Sequence, residues 1–165
     1  KYKLLSFKDL PSLEKYQDII TLCNKVDSER VLSELQEIIT LSRDEELKAE
    51  INYFNGDYPQ ILEYIKNNFG YSFYDDRFRG WAQKLEQHFP KDISKIYLSR
   101  VMRILEYKIS KEYPSARYYL GRIKVISLNI MKNKKEWDVL LSSLKQKSLK
   151  LPSFQKMLIQ LEDKL

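Results

Sequence analysis

The chain has 165 residues, of which 43% are apolar and 32% charged, and its 29 Lys and Arg against 23 Asp and Glu leave a net charge of +6. That length suffices for one compact core, and the balance points away from a disordered tail and from a membrane-embedded chain. One Cys and one His exclude an intrachain disulfide framework and a multi-cysteine zinc site, while four Gly and five Pro argue against a turn-dense sandwich or a glycine-looped nucleotide fold.

Residues 1–10 are too polar for a signal-peptide core, and the absence of an initiator Met suggests a piece of a longer protein. No run approaches the roughly 18 apolar residues of a membrane span. A reducing cytoplasm is the expected setting, with Cys23 as a small buried hydrophobe.

Apolar residues recur at three- and four-residue spacing along nearly the whole chain, which predicts helices throughout. Pro11 and Ser12 open the first, with the stripe Leu13, Tyr16, Ile19, Ile20 and Cys23. Ser28 is the expected N-cap of the second, which carries Val31, Leu32, Leu35, Ile38 and Ile39. The third starts near Asp44, with Glu45 and Glu46 at the positive end of its dipole, and ends at Asn55-Gly56. The fourth follows Asp57, buries Ile61, Leu62 and Ile65, and closes over residues 68–70. The fifth runs from about Asp75 to His88 with Phe78, Trp81, Ala82 and Leu85, and Pro90 ends it.

The sixth begins near Asp92 and carries Ile93, Ile96, Tyr97, Val101, Ile104, Leu105 and Ile109. Pro114 and Ser115 restart the chain into a seventh with Tyr119, Ile123, Ile126 and Ile130. The eighth covers residues 134–147 with Trp137, Leu140, Leu141 and Leu144, and the last follows Pro152 with Phe154, Leu158 and Leu161. No stretch alternates with period two, so the reading is an all-α single domain of about nine helices. Short links suit an array of antiparallel helix pairs or an irregular bundle.

Charge is unevenly placed. Residues 95–165 hold 16 Lys and Arg against 6 Asp and Glu, a basic part of net +10, whereas residues 1–94 are acidic at −4. Arg100, Arg103, Tyr107 and Lys111 are spaced to share one side of the sixth helix, and Arg117 and Lys124 share a side of the seventh. These six are the expected partner-binding residues. They can rim a groove for a peptide helix or neutralise nucleic-acid phosphates. They can also be an ordinary solvated surface, or pair with the acidic part of this or another copy.

Residues 69–81 hold six aromatics, including Tyr71, Tyr74, Phe78 and Trp81, beside Arg77 and Arg79. Such a patch either stacks on a ligand or packs a corner between helices. Asp75 and Asp76 are adjacent, so their carboxylates diverge by about 100° on a helix and suit a cap better than a metal. His88 lacks a second ligand at metal-site spacing, and no nucleophile elbow or phosphate loop is present. Neither catalysis nor a cofactor is expected.

Two stretches resemble known families. Residues 47–65, with Ala49 in mid-helix, Tyr53 and Phe54, and a Gly56-Asp57-Tyr58 corner, resemble a tetratricopeptide repeat, although Ile61 and Asn68 stand where that repeat has alanine. The last third resembles the C-terminal helical region of bacterial SWIM zinc-finger proteins. The matching residues are Tyr97, Tyr113, Ala116, Tyr119 and Leu120, then Glu136, Trp137, Leu140, Leu144 and Lys147, then Phe154, Leu158 and Leu161. The zinc motif of that family needs three Cys and one His, so no zinc role carries over. The resemblance implies a helical segment of a larger cytoplasmic protein, without catalysis and with nucleic-acid association left open. The expected function is that of a non-enzymatic helical-repeat module for a protein or peptide partner, with phosphate-backbone binding as the alternative.

Overall fold

The computed structural model describes residues 2–23, 29–68 and 76–162. Among these the chain is all-helical, with ten α-helices, one 3-10 turn, one π-helical segment and no strand. None of the helices is long and apolar enough to cross a membrane. The chain forms two compact units, residues 1–71 and 72–165. The charge asymmetry follows them, because residues 72–94 hold four cations and four anions and leave the units at −4 and +10.

The first unit contains α1 (Tyr2–Asp9), α2 (Leu13–Cys23), α3 (Glu29–Leu41), α4 (Glu45–Asn55) and α5 (Tyr58–Asn68). Sequence periodicity misses α1, whose eight residues are too few to repeat a pattern, yet Leu4 and Phe7 enter the core. There they meet Tyr16 and Ile19 of α2, Leu35 and Ile39 of α3, and Leu47 and Ile51 of α4, each pair at a spacing of three or four. Cys23 is half-buried against this cluster. Tyr16 presents its hydroxyl to the Asn55 side-chain amide at 2.8 Å and its ring edge-on to Phe54.

Asp44 caps α4 as expected, its Oδ1 accepting from Leu47 N–H at 2.9 Å. Gly56 ends α4 at φ +75°, where Asp57 N–H reaches Asn52 C=O and Gly56 N–H reaches Tyr53 C=O. That paired closure needs a left-handed residue, which glycine adopts without a Cβ clash. The proposed Ser28 cap lies outside the described residues.

The second unit contains α6 (Asp76–Leu85), α7 (Pro90–Glu106), the 3-10 turn Ser110–Glu112, α8 (Tyr113–Val125), the π segment Ile126–Ile130, α9 (Lys134–Lys147) and α10 (Pro152–Glu162). Two boundaries differ from the sequence expectation. Helix α6 stops at Leu85, whose carbonyl takes both His88 and Phe89 N–H in a tight turn. Pro90 therefore opens α7 rather than merely ending α6, at a position where a missing N–H has no consequence.

The other boundary is the end of α7 at Glu106, not beyond Ile109. Lys108 takes φ +51°, Ile109 N–H bonds to Ile104 C=O and Lys108 N–H to Leu105 C=O. This is the same closure as at Gly56, made here by a lysine. Helices α7 and α8 pack together, α6 lies on α7, and α10 lies on α8 and α9. Their shared core includes Trp81, Tyr97, Ile104, Tyr119, Leu120, Trp137, Phe154 and Leu158.

Candidate functional site

The six predicted partner-binding residues do not form one exposed stripe. Arg100 is 8% exposed, and its Nη2 donates to Glu112 Oε2 at 2.6 Å, tying the 3-10 turn to α7. Arg103 is exposed in the last turn of α7. Tyr107 is 65% exposed but sits in the cap, and Lys111 is exposed in the 3-10 turn. The left-handed Lys108 breaks the helical register between Arg103 and Lys111, so their shared side is lost.

Arg117 is half-buried and lines a shallow groove with Tyr113, Lys156 and Met157. Lys124 Nζ donates to the Leu161 carbonyl in the last turn of α10, where a cation suits the helix dipole. Part of the remaining basic surface is also paired: Lys134 with Asp138 at 2.8 Å and Lys145 with Glu162 at 2.6 Å. Within the aromatic patch, Phe78 and Trp81 are buried in the core rather than offered to a ligand, while Tyr71 and Tyr74 lie outside the described residues. Of the proposed Asp75-Asp76 cap, Asp75 lies outside the described residues and Asp76 is the first residue of α6. His88 is exposed in the turn after α6.

Sequence reasoning missed the buried polar cluster of this unit. Glu86 is 2% exposed, and its carboxylate accepts from Tyr97 Oη at 3.0 Å, from Arg122 Nε at 2.9 Å and from Arg122 Nη2. The Tyr97 ring lies 5.3 Å from that of Tyr119, and the Arg79 guanidinium lies over Tyr118. Burial pushes the Tyr97 hydroxyl far above the ordinary phenol range, and the Glu86 carboxylate pushes it further. Burial likewise raises Tyr119. The hydrogen bonds to Glu86 hold the Arg122 guanidinium more firmly protonated than usual.

Raised phenols act as hydrogen-bond donors, so this cluster ties α7 and α8 to the end of α6. Its sequence signal was present: Glu86 continues the i+4 spacing of Phe78 and Ala82, an acid on an apolar face. Among the described residues no group of three His, Cys, Asp or Glu is placed to hold a metal ion.

A different feature offers a surface. Helix α7, the end of α8, the π segment and α9 enclose a groove of about 360 Å³ with a mostly apolar wall. Leu98, Ile123, Val139 and Leu140 form that wall. Leu140, expected in the core, is half-buried here, and Val139 is 62% exposed. Lys91 and Lys95, one turn apart on α7, stand exposed on one shoulder, with Glu136 on the other.

The π segment brings Ser127 to the groove. Its wider ladder, closed by Met131 N–H on Ile126 C=O at 2.8 Å, resets the side-chain register of α8. Ser94 also lines the groove, with its Oγ buried beneath the surface and no hydrogen-bond partner for it among the described residues. An apolar wall beside two cations can receive an amphipathic ligand. Compared with known proteins, the chain matches no family model, no curated protein and no solved structure.

Proposed function

We propose that this chain is a non-enzymatic helical interaction module that holds a segment of a protein partner, its helices stacked as pairs in the manner of tetratricopeptide-like repeats. The groove between α7 and α9 carries this reading: an apolar wall open to solvent, with Val139 exposed and lysines on its shoulder. Apolar surface left open beside a polar rim is the usual make-up of a docking site. The buried titratable side chains support the absence of chemistry, since Glu86, Tyr97 and Arg122 bind one another. A cytoplasmic setting agrees with the single thiol at Cys23.

The test is site-specific photo-crosslinking from Ser143, on the groove edge, and from Ile159, exposed on α10 away from it. A discrete protein adduct from Ser143, absent from Ile159 and abolished by Val139→Arg, is the expected result. The same adducts from both positions, or adducts indifferent to Val139→Arg, overturn the reading.

One observation favours a second reading. Arg103, Lys108 and Lys111 are all exposed around the end of α7, in a unit of net charge +10. Nucleic-acid binding through them requires fluorescence anisotropy to rise with generic duplex or single-stranded DNA at about 50 mM salt and to collapse at higher salt. No rise at low salt, or an unchanged one with Arg103→Glu and Lys111→Glu, removes it.

A further inference from the structure

We propose that Asn55-Gly56, at the end of α4, is a covalent modification site held shut by the fold: a deamidation site that reacts only when that helix end opens. Both reacting groups belong to the chain, and water completes the reaction. The Gly56 backbone nitrogen attacks Asn55 Cγ and gives up its proton, and the side-chain nitrogen of Asn55 leaves as ammonia. Water then opens the five-membered imide at either carbonyl, which leaves aspartate or isoaspartate at this position.

Three observations support it. The first is access. Asn55, Gly56 and Asp57 are all exposed, and nothing beyond the chain neighbours lies within 4 Å of where a Gly56 Cβ would stand. Glycine leaves its nitrogen unshielded toward the side chain before it, and solvent reaches the corner. The second is a backbone lock. Asn55 is the last residue of α4. Imide closure must bring Asn55 Cβ and the Gly56 nitrogen into line about the Cα–C bond, and a helical ψ near −42° keeps them about 80° apart. Gly56 N–H is also committed to the Tyr53 carbonyl at 3.2 Å, and Asp57 N–H to the Asn52 carbonyl at 2.9 Å.

The third is a side-chain lock. Asn55 Nδ2, the nitrogen that must leave, donates to Tyr16 Oη at 2.8 Å. Tyr16 is buried, with its ring against Phe7 and Phe54, so its hydroxyl has a fixed place and holds the Asn55 amide toward α2. Both locks reopen and close again, whereas the reaction does not reverse. Isoaspartate lengthens the backbone by one methylene and breaks the paired closure at Gly56. Aspartate adds a charge beside Asp57 at the negative end of the α4 dipole. Either product weakens the corner between α4 and α5, so the site records how often that corner has opened.

The experiment incubates the full chain in mildly alkaline buffer. It follows the peptide that contains Asn55 by the mass gained when amide becomes acid, with isoaspartate assayed separately. The same chain in concentrated guanidinium chloride gives the unlocked rate. The folded chain is expected to react at least about tenfold more slowly, because only its open fraction reacts. Tyr16→Phe keeps the ring and removes the hydroxyl. It should raise the folded rate about two- to tenfold, the worth of one hydrogen bond, and leave the denatured rate unchanged. Asn55→Gln should abolish the signal, since the longer side chain closes a six-membered ring far less readily. Equal rates in the folded and denatured chain, a folded Tyr16→Phe rate no higher than the parent's, or a conversion that survives Asn55→Gln overturns the proposal. Circular dichroism checks that Tyr16→Phe stays helical, and if it does not, the parent comparison and Asn55→Gln decide.

Discussion

Replacing Arg122 with Met removes two of the three donors to Glu86 and the cation beside it. Breaking a buried ion pair from one side costs about 3–5 kcal/mol. Here two features favour the lower end. The Arg122 side chain is 24% exposed, so water already screens part of the pair, and Tyr97 still donates to the carboxylate. The expected loss is therefore about 3 kcal/mol.

Replacing all three groups, as Glu86→Leu, Tyr97→Phe and Arg122→Met together, leaves no uncompensated polar atom among them and should stay within about 1–2 kcal/mol of the parent. Tryptophan fluorescence against urea is the assay. Both tryptophans, Trp81 and Trp137, are buried in the 72–165 unit, so their signal follows that unit without the other. With a slope near 1 kcal/mol per M, the single variant should lose about 3 M in midpoint. A single variant within 1 kcal/mol of the parent, or a triple variant as damaged as the single, refutes the assignment of Glu86 as a buried anion held by Arg122.

Tyr97 titrates higher folded than unfolded, so its contribution to stability is whole below about pH 10 and falls by about 1.4 kcal/mol per unit as pH rises beyond it; Tyr97→Phe should flatten that alkaline slope in the same urea assay. Lys108 holds a left-handed conformation that suits glycine, and Lys108→Gly should stabilise the unit by about 1 kcal/mol, with destabilisation arguing against the closure drawn at the end of α7. Gly121 lies within α8 with nothing near a built Cβ, so Gly121→Ala should add about 1 kcal/mol, and a loss would mean a neighbour closer than described. Ser94→Ala should stabilise the chain by about 1 kcal/mol by removing a buried hydroxyl without a partner, and a less stable variant would show that the hydroxyl is satisfied within the fold.

Helical class was legible because each helix long enough to repeat itself writes its period in apolar residues. Residues 134–147 are the clearest case: the range read from the Trp137, Leu141 and Leu144 spacing is the range of α9. Helix ends were legible only where their chemistry is typical. Gly56 advertises a left-handed closure, and the end of α4 was placed correctly. Lys108 makes the same closure with a residue that advertises nothing, so α7 read as continuing past Ile109 and carried Tyr107 and Lys111 onto a helical face that does not exist. That backbone angle, together with the burial of Arg100 against Glu112, undid the predicted basic stripe.

The candidate site was illegible for a related reason. Counting cations weighs every Arg and Lys alike, but a guanidinium can be drawn inward wherever an acid meets it. Arg100 and Arg122 lie on the same faces as core residues, at i+3 from Tyr97 and from Tyr119. That spacing places each beside the core, and Glu112 and Glu86 answer them from other elements, at separations no local pattern connects. The groove has the opposite history. Leu98, Val139 and Leu140 look like ordinary core residues, and Lys91 and Lys95 look like ordinary surface. Only the packing of α7 and of α9 on the π segment, which places Ser127 between them, makes one surface of the five. Arg100 and Arg122 thus belong to the packing of this unit, and on the proposed docking reading a search for partners starts at Val139 and Lys95 rather than at Arg100.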